Sequence, residues 1–177
     1  MLVTRLPRRS LGEGGSLVTS PMSLERFHKP QASPSAGYDT ALAKIRRGRK
    51  TSHWIWYIFP QLEGLGRSST ARAYALRDLA EACDYLRDPL LRARYEEIAG
   101  AVDDQLAHGC ALEELMGGRT DAFKLASSIT LFRAAAQYLA GEDPAFDSLA
   151  QRCDSILGRT RAQGYPPCDP TLARVTG

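Results

Sequence analysis

Most sequence patterns that identify an enzyme class are absent from this chain. It has no G-x-S-x-G turn, P-loop, G-x-G-x-x-G fingerprint or H-E-x-x-H motif, each of which is tied to a recognisable chemistry. The three histidines lie far apart, at positions 28, 53 and 108, so they predict no metal site. Hydrolase, kinase, dehydrogenase and zinc-enzyme functions are therefore disfavoured, and we expect no cofactor. Whether the chain is an enzyme at all stays open.

Paired cysteines, long apolar runs and a strong charge excess are missing as well. The four cysteines are widely spaced and include no C-x-x-C, which argues against a disulfide framework and a metal site. No apolar run approaches the roughly 20 residues that span a bilayer. The net charge is only +3 over 177 residues, so the total charge does not indicate nucleic-acid binding. These features predict a reduced, cytoplasmic protein with no membrane association.

The first 21 residues differ from the rest of the chain. They are rich in Gly, Ser, Pro and Arg, and their apolar runs are too short for the core of a signal peptide. We interpret residues 1–21 as a disordered tail and residues 22–177 as one domain, which is long enough to bury a core of its own.

The remaining sequence predicts helices. Three Asp-Pro pairs, at 88–89, 143–144 and 169–170, are typical of helix starts, because Asp caps the free N–H groups and Pro fits the first turn. Apolar residues at three- and four-residue steps predict helices at 38–47, 68–76, 78–88, 89–108, 121–140 and 144–157. Gly158 is expected to end the last of these. Residues 54–59 have no strand to pair with, so a short buried helix is predicted there. The predicted fold class is all-α, a single compact multihelical domain.

Four segments resemble a bacterial family of uncharacterised helical proteins that is often labelled calpastatin. They are GRKTSHWIWYIFPQLEGLGRSS, ARAYALRDLAEACDYLRDPLLRARYEE, DAFKLASSITLF and DPTL. The pattern SHW-x-W-x-x-FPQ is highly specific, and the resemblance extends from about Leu24 to Leu172. It implies a compact, mostly helical single domain and no established activity. The family often has Arg where this chain has Ala126, so a ligand contact at that position would differ here.

Protease inhibition of the calpastatin type is not expected. Calpastatin inhibits its protease as a long disordered chain with short binding repeats. This sequence has regular helical periods, clustered aromatic residues and no repeats, so it should fold.

The segment RKTSHWIWYIFPQ, residues 49–61, holds both tryptophans of the chain. In one interpretation its aromatic side chains form the centre of the core, with His53 hydrogen-bonded beside them. In the other, Trp56 lines a cleft and stacks on a base or sugar. His53 is then a ligand contact or a general acid/base, and Gln61 lies at the rim.

Five cations precede or begin this segment: Lys44, Arg46, Arg47, Arg49 and Lys50. They are consistent with a solvated helix end, where cations are favoured. They are equally consistent with a site for phosphate or a nucleic-acid backbone, because positive charge beside stacking surface suits both.

The segment TDAFKLASSIT, residues 120–130, is the third candidate. On a helix Asp121, Lys124 and Ser128 share one face. They could be an ordinary cap and surface ion pair. Alternatively, they could surround an anion at a helix start, with Lys124 as acid/base or charge stabiliser.

Three functional hypotheses result. The first is a small anionic, nucleotide- or ADP-ribose-like ligand in one cleft, with Arg49, Lys50, Trp56, Gln61 and Ser128 as contacts and His53, Asp121 and Lys124 as candidate catalytic residues. The second is a protein or nucleic-acid interaction module that uses residues 44–50. The third is a structural or accessory protein without a ligand, in which His53 and both tryptophans are fully buried and no cavity lies nearby.

Overall fold

A computed structural model describes residues 21–176, with side chains from Leu24 onward. The predicted tail therefore lies outside the described residues, apart from Pro21. The helices are α1 (Pro21–Gln31), α2 (Tyr38–Arg46), α3 (Ile55–Ile58), α4 (Ser69–Ala73), α5 (Leu79–Arg87), α6 (Pro89–Ala107), α7 (Leu112–Met116), α8 (Arg119–Leu139), α9 (Pro144–Ala162) and α10 (Asp169–Val175). Within this range the β-structure is limited to one bridge between Leu62 and Leu76, so the all-α prediction is confirmed.

Helix α8 is the centre of the fold. It packs mainly against α9 and α5, and also against α7 and α10. Its buried face alternates large side chains such as Leu125 and Phe132 with alanines, which lets neighbouring helices approach closely. The Phe132 ring lies 4.2 Å from that of Tyr95 and 5.0 Å from that of Tyr85, centroid to centroid. This aromatic cluster joins the middle of α8 to α5 and α6.

Two of the three predicted Asp-Pro helix starts have the expected cap. Asp88 Oδ1 accepts from the N–H groups of Leu90 and Leu91, both at 3.0 Å, and Asp143 Oδ1 accepts from that of Ala145 at 2.8 Å. At the third pair, α10 begins at Asp169 itself and has no side-chain cap.

One helix boundary and one unpredicted helix correct the sequence predictions. Helix α9 continues past Gly158 to Ala162. An interior glycine costs a helix only about 1 kcal/mol, which the packing of α9 on α8 offsets. Helix α1 was not predicted, although the prediction placed the start of the domain in this segment. None of the helices in residues 21–176 is long and apolar enough to cross a membrane.

Candidate functional site

The short helix α3 divides residues 49–61 between the core and the surface. Trp54 is completely buried, with its ring 6.5 Å from that of Phe59. Trp56 is partly exposed and His53 is exposed, and their rings stack with centroids 6.4 Å apart. The core interpretation therefore applies to Trp54, whereas Trp56 and His53 reach the surface.

Lys50 connects this segment to the start of α8. Its ammonium lies 2.6 Å from a carboxylate oxygen of Asp121, and its side chain is only 6% exposed. The backbone N–H of Lys50 donates to Leu115 O at 2.8 Å. A Cβ added at Gly117 would lie 2.8 Å from the Lys50 carbonyl oxygen, so this glycine permits the close approach. The turn between α7 and α8 thereby fixes Lys50 against Asp121.

Lys124 is a second cation on the same carboxylate. Its ammonium lies 3.2 Å from the other Asp121 oxygen and 5.1 Å from the centroid of the Trp56 ring. Such a cation–π contact contributes about 0.5–1 kcal/mol at exposed sites. Because two lysines share one carboxylate, the cluster keeps a net positive charge. We call Lys50, His53, Trp56, Asp121 and Lys124 the cleft cluster.

Lys124 also lines a cavity of about 490 Å³ between the start of α8 and the segment before α10. That volume lies in the range of about 300–1,000 Å³ that is usual for ligand pockets. The apolar lining comes from Leu65, Phe123, Ala126, Pro166, Pro167 and Pro170, and the polar lining from Gln61, Thr120, Lys124, Ser127, Cys168 and Asp169. A second depression, of about 410 Å³, is lined by residues 49–53 and Gly117.

Seven of the eight candidate site residues therefore lie in or beside this region. Arg49, Lys50 and His53 line the second depression. Trp56 borders a narrow gap next to Gln61 and Lys124. Asp121 is placed there by its ion pairs to Lys50 and Lys124.

The prediction for Ser128 is wrong. Ser128 is fully buried, and its hydroxyl lies 3.0 Å from that of Tyr95 in the core. Burial raises the pKa of Tyr95, because burial disfavours the charged form. Ser128 lies on the side of α8 that contacts Tyr95 of α6, whereas its neighbour Ser127 lines the cavity, so Ser128 is not part of the cavity wall.

Sequence reasoning missed most of the cavity lining. Thr120, Phe123 and Ser127 recur with Lys124 at helical spacing, so a full search of the α8 face would have found them. Within residues 166–170, the sequence indicated a helix start at Asp169-Pro170 but not a cavity wall. Among residues 24–176, no group of three or more His, Cys, Asp or Glu side chains could hold a metal ion.

Residues 21–153 match the family described as protein of unknown function (DUF1810). The chain belongs to this family. The crystal structure of the conserved hypothetical protein Rv1873 from Mycobacterium tuberculosis, at 1.38 Å, is similar in sequence and fold. The two are 35% identical with a TM-score of 0.70, over 86% of this chain and 96% of that chain. No curated protein matches.

The family match includes the whole cleft cluster but ends before residues 166–170 of the cavity wall. Neither description mentions calpastatin, so that label is not supported by the comparisons. The resemblance to a family of uncharacterised proteins is confirmed at this coarser level.

Proposed function

We propose that this family member binds a small anionic ligand, of the nucleotide or ADP-ribose type, at the cleft cluster. The observation that carries the proposal is the meeting of two segments that are distant in sequence. Lys50 pairs with Asp121 at 2.6 Å, and Lys124 lies over the ring of Trp56. Positive charge beside a partly exposed aromatic ring suits a phosphate that is joined to a base or sugar.

The cleft contains basic side chains that are available to bind an anion. Neither Arg49 nor His53 has an ion pair or a side-chain hydrogen bond to any residue in 24–176. The Lys124–Asp121 pair is partly solvated, with side chains 22% and 19% exposed. A phosphate group that pairs with Lys124 would replace the Lys124–Asp121 contact, while Lys50 holds Asp121 in place.

An unsatisfied donor also supports the proposal. The indole N–H of Trp56 is buried and has no acceptor among the described residues. Such a group costs about 1–3 kcal/mol. The narrow gap beside Trp56, Gln61 and Lys124 has a volume of only about 10 Å³, about the space of one water, so at most a single ligand oxygen could reach this N–H there.

The interaction-module hypothesis receives less weight. Lys44 donates to Ser52 Oγ at 2.6 Å, Arg46 pairs with Glu97 at 2.9 Å, and Lys50 is committed to Asp121. Nucleic-acid binding depends on cations that neutralise phosphates. Of the five in this segment, Lys44 and Lys50 have close partners within the protein, which leaves Arg46, in an exposed ion pair, and the exposed Arg47 and Arg49 for such a surface. The hypothesis without a ligand expected His53 and both tryptophans to be fully buried, which only Trp54 is.

If the bound ligand is turned over, His53, Asp121 and Lys124 are the groups beside it. His53 is the candidate proton donor or acceptor, and Lys124 is the candidate charge stabiliser. We keep the cytoplasm as the expected location, in keeping with four cysteines that are all free thiols.

The proposal is tested by thermal unfolding of the full chain with AMP, ADP-ribose and inorganic pyrophosphate as probes. A ligand at 100 times its dissociation constant adds about 2.7 kcal/mol of stability. Lys124→Met should weaken binding of the best probe at least tenfold, about 1.4 kcal/mol. The matched control is Lys29→Met, which removes an exposed lysine of α1. A shift that survives Lys124→Met unchanged, or no shift with any probe, would contradict the proposal.

A further inference from the structure

The 490 Å³ cavity has a hydrophobic surface that a folded protein seldom leaves open. Phe123 is 44% exposed, and its ring meets that of Tyr165 edge to face at 4.8 Å. Leu65 and the rings of Pro166 and Pro167 line the same space. Large apolar side chains around a concavity are typical of ligand sites, and flat walls of this kind suit a flat ring.

Polar groups with unused hydrogen-bonding capacity line the same cavity. The side-chain amide of Gln61 and the hydroxyl of Thr120 make no hydrogen bond to any residue in 24–176. Ser127 is 96% buried, and its hydroxyl is 3.4 Å from that of Thr171, which is longer than the usual O–H···O range of about 2.5–3.0 Å. A buried, poorly satisfied hydroxyl that borders a cavity indicates a polar occupant.

Hydrogen bonds to other parts of the chain hold the cavity wall formed by residues 166–170 in place. The backbone N–H of Cys168 donates to Thr130 Oγ1 at 3.0 Å. The guanidinium of Arg174, on α10, donates to the carbonyl oxygens of Glu63 at 2.5 Å and Arg77 at 2.9 Å. A wall anchored to α8 and to the Leu62–Leu76 region is present before any ligand arrives, which reduces the ordering cost of binding.

We propose that this cavity binds the planar nitrogen heterocycle of the ligand, so that the ligand class is a nucleotide with its base in the cavity. The inference rests on the proposed function, because Lys124 belongs to both the cleft cluster and the cavity lining. The phosphate lies beside Lys124, the base packs on Phe123, and Gln61 and Ser127 hydrogen-bond to its polar edge. Sugar phosphates and inorganic anions would use the cleft cluster alone.

Cys168 reports directly on the cavity, because it is one of the lining residues. Burial raises the pKa of Cys83 and of Cys153 to about 12, so both should react slowly. Cys110 is partly exposed and is removed as Cys110→Ser. In this full-length variant the rate of Cys168 alkylation by iodoacetamide is measured by mass spectrometry. The probes are the four ribonucleoside 5′-monophosphates and, as a ring-free probe, ribose 5-phosphate.

A nucleotide at about ten times its dissociation constant should slow the alkylation about tenfold, since the free fraction sets the rate. Ribose 5-phosphate should stabilise the chain and leave the alkylation rate unchanged. Phe123→Ala should remove most of the protection by the nucleotide. The matched control is Tyr138→Ala. Tyr138 is another aromatic residue of α8, 57% exposed, and it does not line the cavity.

The outcomes separate this inference from the proposed function. If nucleotides and ribose 5-phosphate stabilise the chain equally and Cys168 stays reactive, the base site is wrong and the anion site stands. Protection that is equal in Phe123→Ala and Tyr138→Ala also overturns the base site. If no probe stabilises the chain or protects Cys168, both proposals fail.

Discussion

Trp54 and Trp56 are two residues apart and belong to regions with opposite properties. Trp54 is completely buried within the hydrophobic core. Trp56 lies at the surface beside His53, Lys124 and a narrow gap. The indole N–H groups of both tryptophans lack an acceptor among the described residues, so the two regions differ in exposure and in nearby charge rather than in hydrogen bonding. The difference shows that one conspicuous sequence motif can contribute both to the core and to the cleft.

The largest expected effect comes from the core side of this comparison. Trp54→Ala should destabilise the protein by about 3–5 kcal/mol, because a large buried ring leaves a cavity. Trp56→Ala should cost only about 1–2 kcal/mol but should reduce the ligand-induced thermal shift. Urea unfolding followed by circular dichroism measures both losses. Equal losses for the two variants would mean that the two regions are not distinct.

The second-largest effect is expected at the Lys50–Asp121 ion pair, which joins residues 49–61 to the start of α8. Asp121→Ala should cost about 3 kcal/mol, because it leaves the ammonium of Lys50 buried without a partner. Adding Lys50→Met removes that charge while keeping an apolar stem, so the double variant should recover part of the loss. Urea unfolding of the two single variants and the double variant measures this coupling. A double variant that is less stable than Asp121→Ala would contradict the assignment.

A smaller effect is expected where the chain passes close to Lys50. Gly117 has a φ of 75° and Gly64 a φ of 90°, so alanine is strained at either position. Only at Gly117 would the added Cβ also meet the Lys50 carbonyl oxygen. Gly117→Ala should therefore be less stable than Gly64→Ala by about 1 kcal/mol, and it should weaken ligand binding where Gly64→Ala does not. Identical melting temperatures would show that the close approach is easily relieved.

The smallest expected effect is on the acid sensitivity of stability, and it comes from Glu81, a residue outside the cleft cluster. Glu81 is buried, pairs with Arg26 at 2.9 Å and accepts from the Arg77 N–H at 2.8 Å. Burial alone would raise its pKa, but the interactions with Arg26 and Arg77 outweigh burial and hold the pKa below its ordinary value of 4.5. The stability that Glu81 contributes is therefore complete above pH 4.5 and is lost as the pH falls through the lower pKa of the folded state.

Glu81→Gln should make the free energy of unfolding fall less steeply below pH 4.5. Urea titrations above and below that pH measure the change. The matched control is Glu25→Gln, at an exposed position of α1, and it should leave the slope as it is. A slope unchanged in Glu81→Gln would remove Glu81 as a source of acid sensitivity.

Local signals were enough to predict much of the fold. The caps at Asp88 and Asp143 act within one helical turn, so residue types alone placed them. Gly158 misled the prediction, because a single glycine weakens a helix less than packing on a neighbouring helix stabilises it. Tertiary contacts decided that boundary, and these are not visible in a periodic pattern.

The candidate site was predictable only in part for the same reason. The spacing of Asp121 and Lys124 correctly placed them on one face of α8. The same spacing failed for Ser128, since it does not say where along a helix a face passes from surface to core. The wall at residues 166–170 depends on the Thr130 and Arg174 hydrogen bonds, which join residues far apart in the chain.

The division between the two tryptophans gives the protein an intrinsic optical reporter. The sequence contains only these two indoles, and one of them is sealed from water. The emission of Trp54 should be blue-shifted and insensitive to quenchers, whereas that of Trp56 should respond to iodide and to anything that enters the narrow gap beside it. In a Trp54→Phe background the entire indole emission would come from the cleft, so occupancy could be followed in real time without a label.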